Sequence, residues 1–395
     1  MTKRKTDPSA VGVRREAAKT LRRPPASGPI APQSTPDHPL PPGWFDVLKH
    51  WVERLPGPYW LAYVVLGGVF FATETVLHIP SDGLLAAWVN PVRALLSVMA
   101  VGFLLLMHAL DRLAAFSFDA FRPVLRASDL EARHLRHQLI SMPPRPALGA
   151  ALLGVLSGLT VMLAPSLTRV ASGSEVRVAL AEVMRVIGGF EISTAPASLA
   201  FNGVVMALTW WVTGTLVYHT IRQLRWVSRI YTDFTHVDLL KPGPLYRLSR
   251  ITASTALGLI AVVYLWFAAS PKFFANPINL ASAAFLGSLA LGAFLLPLLG
   301  IHRTIVNEKE QMLHESSDRL KASLGELHRR VDHNRFEQMD DLNKAISSLE
   351  IERNLLNRVP TWPWQPEAPR TVIGALLLPL MLWVAQAVLG RVLGP

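Results

Sequence analysis

Residues 278–300 read INLASAAFLGSLALGAFLLPLLG, and residues 301–331 continue IHRTIVNEKEQMLHESSDRLKASLGELHRRV. The first piece is 23 residues without a charge, enough for a helix to cross a hydrocarbon core of about 30 Å. The second is polar. Its Val306, Leu313, Leu320, Leu324, Leu327 and Val331 step by 7, 7, 4, 3 and 4 residues, which is the seam of a helix that packs against another helix in water. No turn signal intervenes after Gly300, so the stretch predicts a membrane span that runs on into a rod outside the bilayer.

Six further apolar windows lie at Trp60–Ile79, Ala94–Leu110, Leu148–Leu167, Leu199–Tyr218, Thr252–Ala269 and Thr371–Leu393. Together they predict an all-α membrane bundle of seven spans. Composition agrees, since only 17% of the 395 residues are charged against about 25% in soluble domains. Lysine and arginine are distributed unevenly: 32 fall in 1–57, 111–147, 219–251 and 301–369, and 5 in the alternating segments. Basic residues stay on the cytoplasmic side, so the N-terminus is expected inside and the C-terminus outside. The net charge of +11 is thereby explained by topology, and no nucleic-acid partner is expected. Cysteine is absent, which excludes disulfides, thiolate metal sites and thiol nucleophiles. The first apolar stretch opens only near residue 60, so no cleaved secretory signal is expected.

Around the spans the chain divides further. Residues 1–42, with Lys3, Arg4, Lys5, Arg14 and Arg15 among many prolines and serines, read as a disordered basic tail. In 43–56, Trp44, Leu48, Trp51, Val52 and Leu55 share one helical face, which predicts an amphipathic helix lying at the interface. Spans one to six, with helical extensions, occupy 57–300, and the loop 168–198 holds an apolar-faced helix over 175–187. Residues 301–358 read as a cytoplasmic coiled-coil-like hairpin, broken at Asp332-His333-Asn334-Arg335. Its second arm carries Met339, Leu342, Ile346, Leu349 and Leu356 on one seam, serving either the hairpin itself or contacts between subunits. Residues 359–370, VPTWPWQPEAPR, hold four prolines that forbid a helix, and 371–395 is the seventh span.

Catalytic signatures are missing: there is no phosphate-binding Gly-rich loop, no His-Glu-x-x-His and no Gly-x-Ser-x-Gly, so no enzyme, cofactor or metal is expected. An ionisable group inside a span is costly and therefore a candidate for function. Glu74 stands inside the first span with His78 one turn on; it either lines a cavity or pairs with His78 or an arginine. Asn202, Thr209, Thr213, Thr215 and His219 mark the fourth span as interhelical hydrogen-bonding groups. Small residues recur at Ala150, Gly154 and Gly158 and at Ala284, Ser288 and Gly292, a spacing that lets helices approach closely. Pro379 should bend the last span and free a carbonyl. Driven by the hairpin, that helix would suit a pore, with Thr371, Ala375, Pro379, Gln386 and Gly390 as lining.

The segments Phe121-Arg122-Pro123, 244–252 (PLYRLSRIT) and 361–367 (TWPWQPE) resemble those of bacterial multi-pass membrane proteins of unknown function, which implies a bacterial inner membrane. In topology the chain also resembles the seven-transmembrane ion channel superfamily that includes insect odorant and gustatory receptors. The likeness rests on seven spans, an inside N-terminus, long helices after spans four and six, and a last helix split into two halves. It implies a tetrameric, ligand-gated cation channel in which Phe336–Arg358 anchors subunits, with Leu342, Ile346, Leu349 and Leu356 at the contact, and Thr371–Leu393 lines the pore. The aromatic signature of the insect receptors is absent here, and four prolines separate the halves. Two functions are therefore expected: an oligomeric gated cation channel taking a small-molecule ligand, or a sensor and scaffold whose hairpin binds a soluble partner.

Overall fold

A computed structural model of the chain describes residues 42–82, 90–171, 196–235, 237–239, 242–270, 277–333, 335 and 339–392. The basic tail up to residue 41 and the 175–187 segment lie outside the described residues. Among the described residues eleven α-helices follow in order: α1 Trp44–Arg54, α2 Tyr59–Asp82, α3 Pro91–Phe121, α4 Asp129–Ile140, α5 Pro144–Ala171, α6 Pro196–Asp233, α7 Leu245–Ala269, α8 Pro277–Leu295, α9 Leu299–Asp332, α10 Met339–Arg358 and α11 Glu367–Val392. Among the described residues the only β pairing is an isolated bridge between Leu125 and Thr235.

Local chemistry sets the helix ends. Asn90 Oδ1 accepts from Arg93 N at 3.2 Å, with Pro91 at the first helical position where its missing N–H costs nothing. Ser128 and Glu131 form a reciprocal box that opens α4: Ser128 Oγ accepts from Glu131 N at 3.3 Å and Glu131 Oε2 from Ser128 N at 2.8 Å.

Six helical stretches are long and apolar enough to cross a membrane: Tyr59–Pro80, Pro91–Val124, Asp129–Thr160, Pro196–Asp233, Leu245–Ala269 and Leu280–Asp332. The protein is an integral membrane protein. The seventh window falls on the 26-residue α11, which is not one of these six. It begins at Glu367, so the last of the four prolines expected to forbid a helix over 359–370, Pro369, lies in its first turn, where a missing N–H costs no ladder bond.

The bundle is organised on α3 and α6. Helix α3 packs on α2, α6 and α7, α5 packs on α6, and α7 also meets α8 and α11. The closest approach is between α5 and α6: a Cβ on Gly154 would overlap the carbonyl of Trp210 and lie 3.0 Å from the Gly214 backbone, and one on Gly158 would overlap the Trp210 ring. Only glycine permits this contact. The other small-residue stripe is used differently. Ala284 and Ser288 are exposed, whereas Gly287, Ala290 and Phe294 face inward.

The rod does not follow from the sixth span without a break. A 3-10 turn at Leu296–Leu298 separates α8 from α9, because Pro297 cannot donate to the helical ladder. Beyond it, α9 and α10 pack against each other as an antiparallel hairpin. Val306, Leu313, Leu320 and Leu327 are half-buried on the first arm, whereas the seam positions Leu324 and Val331 are exposed; Met339, Leu342, Ile346 and Leu349 are half-buried and Leu356 is buried on the second.

Candidate functional site

The first helix has a mixed inner face. Phe45, Asp46, Lys49 and Val52 are buried and Trp44 and Leu48 pack on the core, while Val47, Trp51 and Leu55 are 57%, 58% and 38% exposed. Two charged residues thus point into the bundle and part of the expected apolar face, Trp51 and Leu55, points out. That pattern suits a helix whose outer surroundings are lipid, where the burial rule for water is reversed.

Lys49 lies at the centre of the inward cluster. Its ammonium donates to Asp111 Oδ2 at 2.7 Å, to Asp46 Oδ1 at 3.3 Å and to the carbonyl of Ile140 at 3.1 Å, so all three N–H donors are used. Asp46 Oδ2 accepts from the backbone N–H groups of Gly43 and Met142 at 3.2 and 3.1 Å. Asp111 Oδ1 accepts from His219 Nε2 at 2.8 Å and from Gln223 Nε2 at 3.4 Å. The carboxylate fixes the His219 tautomer by accepting from Nε2. Phe45 lies edge-on to the His219 ring at 6.3 Å, and Arg222 closes the corner by donating to Gln138 Oε1 at 2.7 Å and to the Ser141 carbonyl. Burial pulls the Lys49 ammonium down, but the Asp111 and Asp46 carboxylates outweigh it and hold the group above its ordinary value.

This cluster clamps α1 to α3, α6 and the α4–α5 corner. Within it, His219 Nδ1 and Gln223 Oε1 have no hydrogen-bond partner among the described residues. Alongside, the Tyr63 hydroxyl lies 3.0 Å from His108 Nδ1, and His108 Nε2 lies 3.3 Å from the Glu53 carboxylate.

Glu74 and His78 are both buried, at 4% and 0% exposure. His78 Nδ1 lies 3.3 Å from Glu74 Oε1 and 2.9 Å from its backbone carbonyl, and Nε2 lies 3.1 Å from Ser198 Oγ. Asn202 reaches Ser198 Oγ at 3.5 Å. The carboxylate is therefore an internal partner of His78 within α2, and it is His78 that reaches Ser198 at the start of α6.

At the hairpin's root the prolines and tryptophans form a joint. His302 stacks on Trp362 at 3.9 Å, Trp362 on Trp364 at 4.3 Å, and Trp364 on Phe294 at 5.1 Å. His302 Nδ1 donates to the Thr361 carbonyl at 2.9 Å. Lys309 Nζ donates to the carbonyls of Asn357 and Val359, each at 2.8 Å, and so satisfies orphan groups at the end of α10.

In α11, Pro379 has no N–H for the carbonyl four residues back. That carbonyl belongs to Ala375, and the Tyr264 hydroxyl of α7 donates to it at 2.8 Å. Of the expected lining residues, Thr371 is exposed with its hydroxyl turned onto the Glu367 carbonyl at 2.9 Å. Ala375 is half-buried and Pro379 buried. The side chains of Gln386 and Gly390 lie outside the described residues. The helix's uncovered face is apolar, with Leu377, Met381, Val384 and Val388 between 46% and 64% exposed.

Sequence reasoning missed the Lys49 cluster. Asp111 stands one residue past the window ending at Leu110 and His219 one past the window ending at Tyr218, so one went unread as loop and the other was taken for an ordinary packing group. A signal was available. Asp111 falls on the buried stripe Leu104, Met107, Ala114 and Phe118 of α3, where a charge requires a buried partner. Comparison with protein-family models, curated proteins and solved structures finds no match.

Proposed function

We propose that the protein is a seven-span membrane platform, N-terminus inside and C-terminus outside, that holds the α9–α10 hairpin stiffly in the cytoplasm for a soluble partner. The observation that carries this reading is the hairpin itself. Its arms use their seam on each other, and they leave Ile351 and Leu355, one turn apart on α10, 61% and 56% exposed. An exposed apolar pair on a rigid, otherwise polar helix is what a partner helix would cover. The orientation is supported by the split of basic residues between alternate loops, and α11 supplies the seventh span.

Photoreactive side chains placed at Ile351 and Leu355 in intact cells test the platform. Covalent capture of one soluble protein from these positions, and not from the seam position Ile346, is expected. Capture of only a second copy of this chain would overturn it.

A second reading, an oligomeric gated cation channel, is favoured by one observation: α11, with Pro379 inside it, follows directly from the tryptophan joint at the hairpin's root, so hairpin motion would reach it. It needs assembly of several copies, because the uncovered face of a single α11 is apolar. Ion flux into vesicles holding the purified protein, abolished by substitution at Gln386, would favour this reading. Absence of flux and a monomer in mild detergent would exclude it.

A further inference from the structure

The far end of α6 carries a feature of which the clamp uses Arg222 alone. The helix has 38 residues, about 57 Å at 1.5 Å per residue, against a hydrocarbon core of about 30 Å. Its last turns must therefore leave the hydrocarbon, and its apolar window ends at Tyr218. Just there opens a groove of about 500 Å³ lined by Tyr218, Ile221, Arg222, Arg225, Trp226 and Arg229. These positions fall at helical spacing on one face of α6.

We propose that this groove binds the phosphodiester headgroup of an anionic phospholipid, with Arg225 as the principal phosphate ligand. The residues are ordered as the lipid would require. Ile221 is 45% exposed at the acyl end, beside Tyr218, whose ring belongs at the interface. Arg225 lies one turn further out, about 6 Å along the axis, which matches the few ångströms of headgroup region outside the core. Arg222 forms one wall and is held in place by Ser141 and Gln138. Arg229 forms the other; its guanidinium lies 5.3 Å from the Trp226 ring and its Nε 3.4 Å from Asp233. Among the described residues Asp233 is the one carboxylate in ion-pair reach of these three guanidinium groups, so the groove stays net positive. Arginine is the side chain best shaped to hold phosphate oxygens two at a time, and basic pockets at the ends of spans hold anionic headgroups.

The test uses the full chain purified in mild detergent, with retained lipid counted by native mass spectrometry. Phosphatidylglycerol should be retained in preference to phosphatidylcholine of the same acyl chains. The variant R225Q/R229Q, altered only at exposed side chains, should lose this retention roughly tenfold or more. R225K/R229K, which keeps the charge and loses the planar fork, should lose less. Equal retention of both lipids by the unaltered protein would overturn the proposal without reference to any variant, as would unchanged retention by a folded R225Q/R229Q. If inorganic phosphate at millimolar concentration displaced the lipid and stabilised the protein equally, the groove would be a free-phosphate site and the lipid assignment would fall. None of these results depends on the hairpin's partner, so the platform reading can fail separately.

Discussion

Two joints hold this molecule together, and they are built from opposite materials. The α1 clamp buries two carboxylates, a lysine and a histidine among apolar helices. The hairpin root instead stacks four rings and caps loose carbonyls from the partly exposed Lys309. Charges taken out of water cost several kcal/mol each and recover this only through complete pairing. Stacked rings lose little when one is trimmed. The clamp should therefore fail as a unit, whereas the hairpin root should loosen by degrees.

The sharpest way to break this contrast is Asp111→Ala, which leaves Lys49 and His219 without their shared acceptor. A loss of about 3–5 kcal/mol is expected, read as a large fall in melting temperature in detergent. The double variant Lys49→Met with Asp111→Leu should recover part of it, because the ammonium is then no longer buried without Asp111, although Asp46 is left with only its two backbone donors. Trp362→Ala, in the middle of the stack, should cost roughly 2 kcal/mol, since the ring is half-buried, and should free the hairpin to proteolysis without melting the bundle. Tyr264→Phe uncovers the Ala375 carbonyl and should cost about 1 kcal/mol; equal melting temperatures would show that the bend at Pro379 needs no such support. The smallest effect concerns pH. Lys49 titrates above its ordinary value in the folded state, so its contribution is complete below about pH 10.4 and is lost only as pH rises through the higher folded value. The difference in stability between the unaltered protein and Lys49→Met should stay flat from pH 7 to about pH 10 and narrow beyond.

The same contrast explains what was legible in the sequence. Five of the seven apolar windows lie within single helices, the sixth is divided by the 3-10 turn at Leu296–Leu298 and the seventh matches α11 as far as Val392, because hydropathy over some twenty residues reports directly on helices surrounded by lipid. The hairpin was equally plain, its seam being a local repeat. Pro297 was overlooked in an apolar run, and it alone separates span from rod. The clamp could not be read from spacing, since Lys49 meets Asp111 across 62 positions and His219 meets Asp111 across 108. For α1 the single apolar face of Trp44, Leu48, Trp51, Val52 and Leu55 is divided: Trp44, Leu48 and Val52 turn toward the core, Trp51 and Leu55 are exposed, and Lys49 and Asp46 point inward beside Val52.

The central claim is that the hairpin is carried rigidly by the membrane bundle. The absence of cysteine makes the test direct: spin labels at Lys321→Cys on α9 and Leu130→Cys on α4, with their separation measured by pulsed dipolar spectroscopy in lipid. One narrow distance distribution is predicted, broadening when Trp362 and Trp364 are both replaced by alanine. A broad distribution with both tryptophans in place would contradict the account.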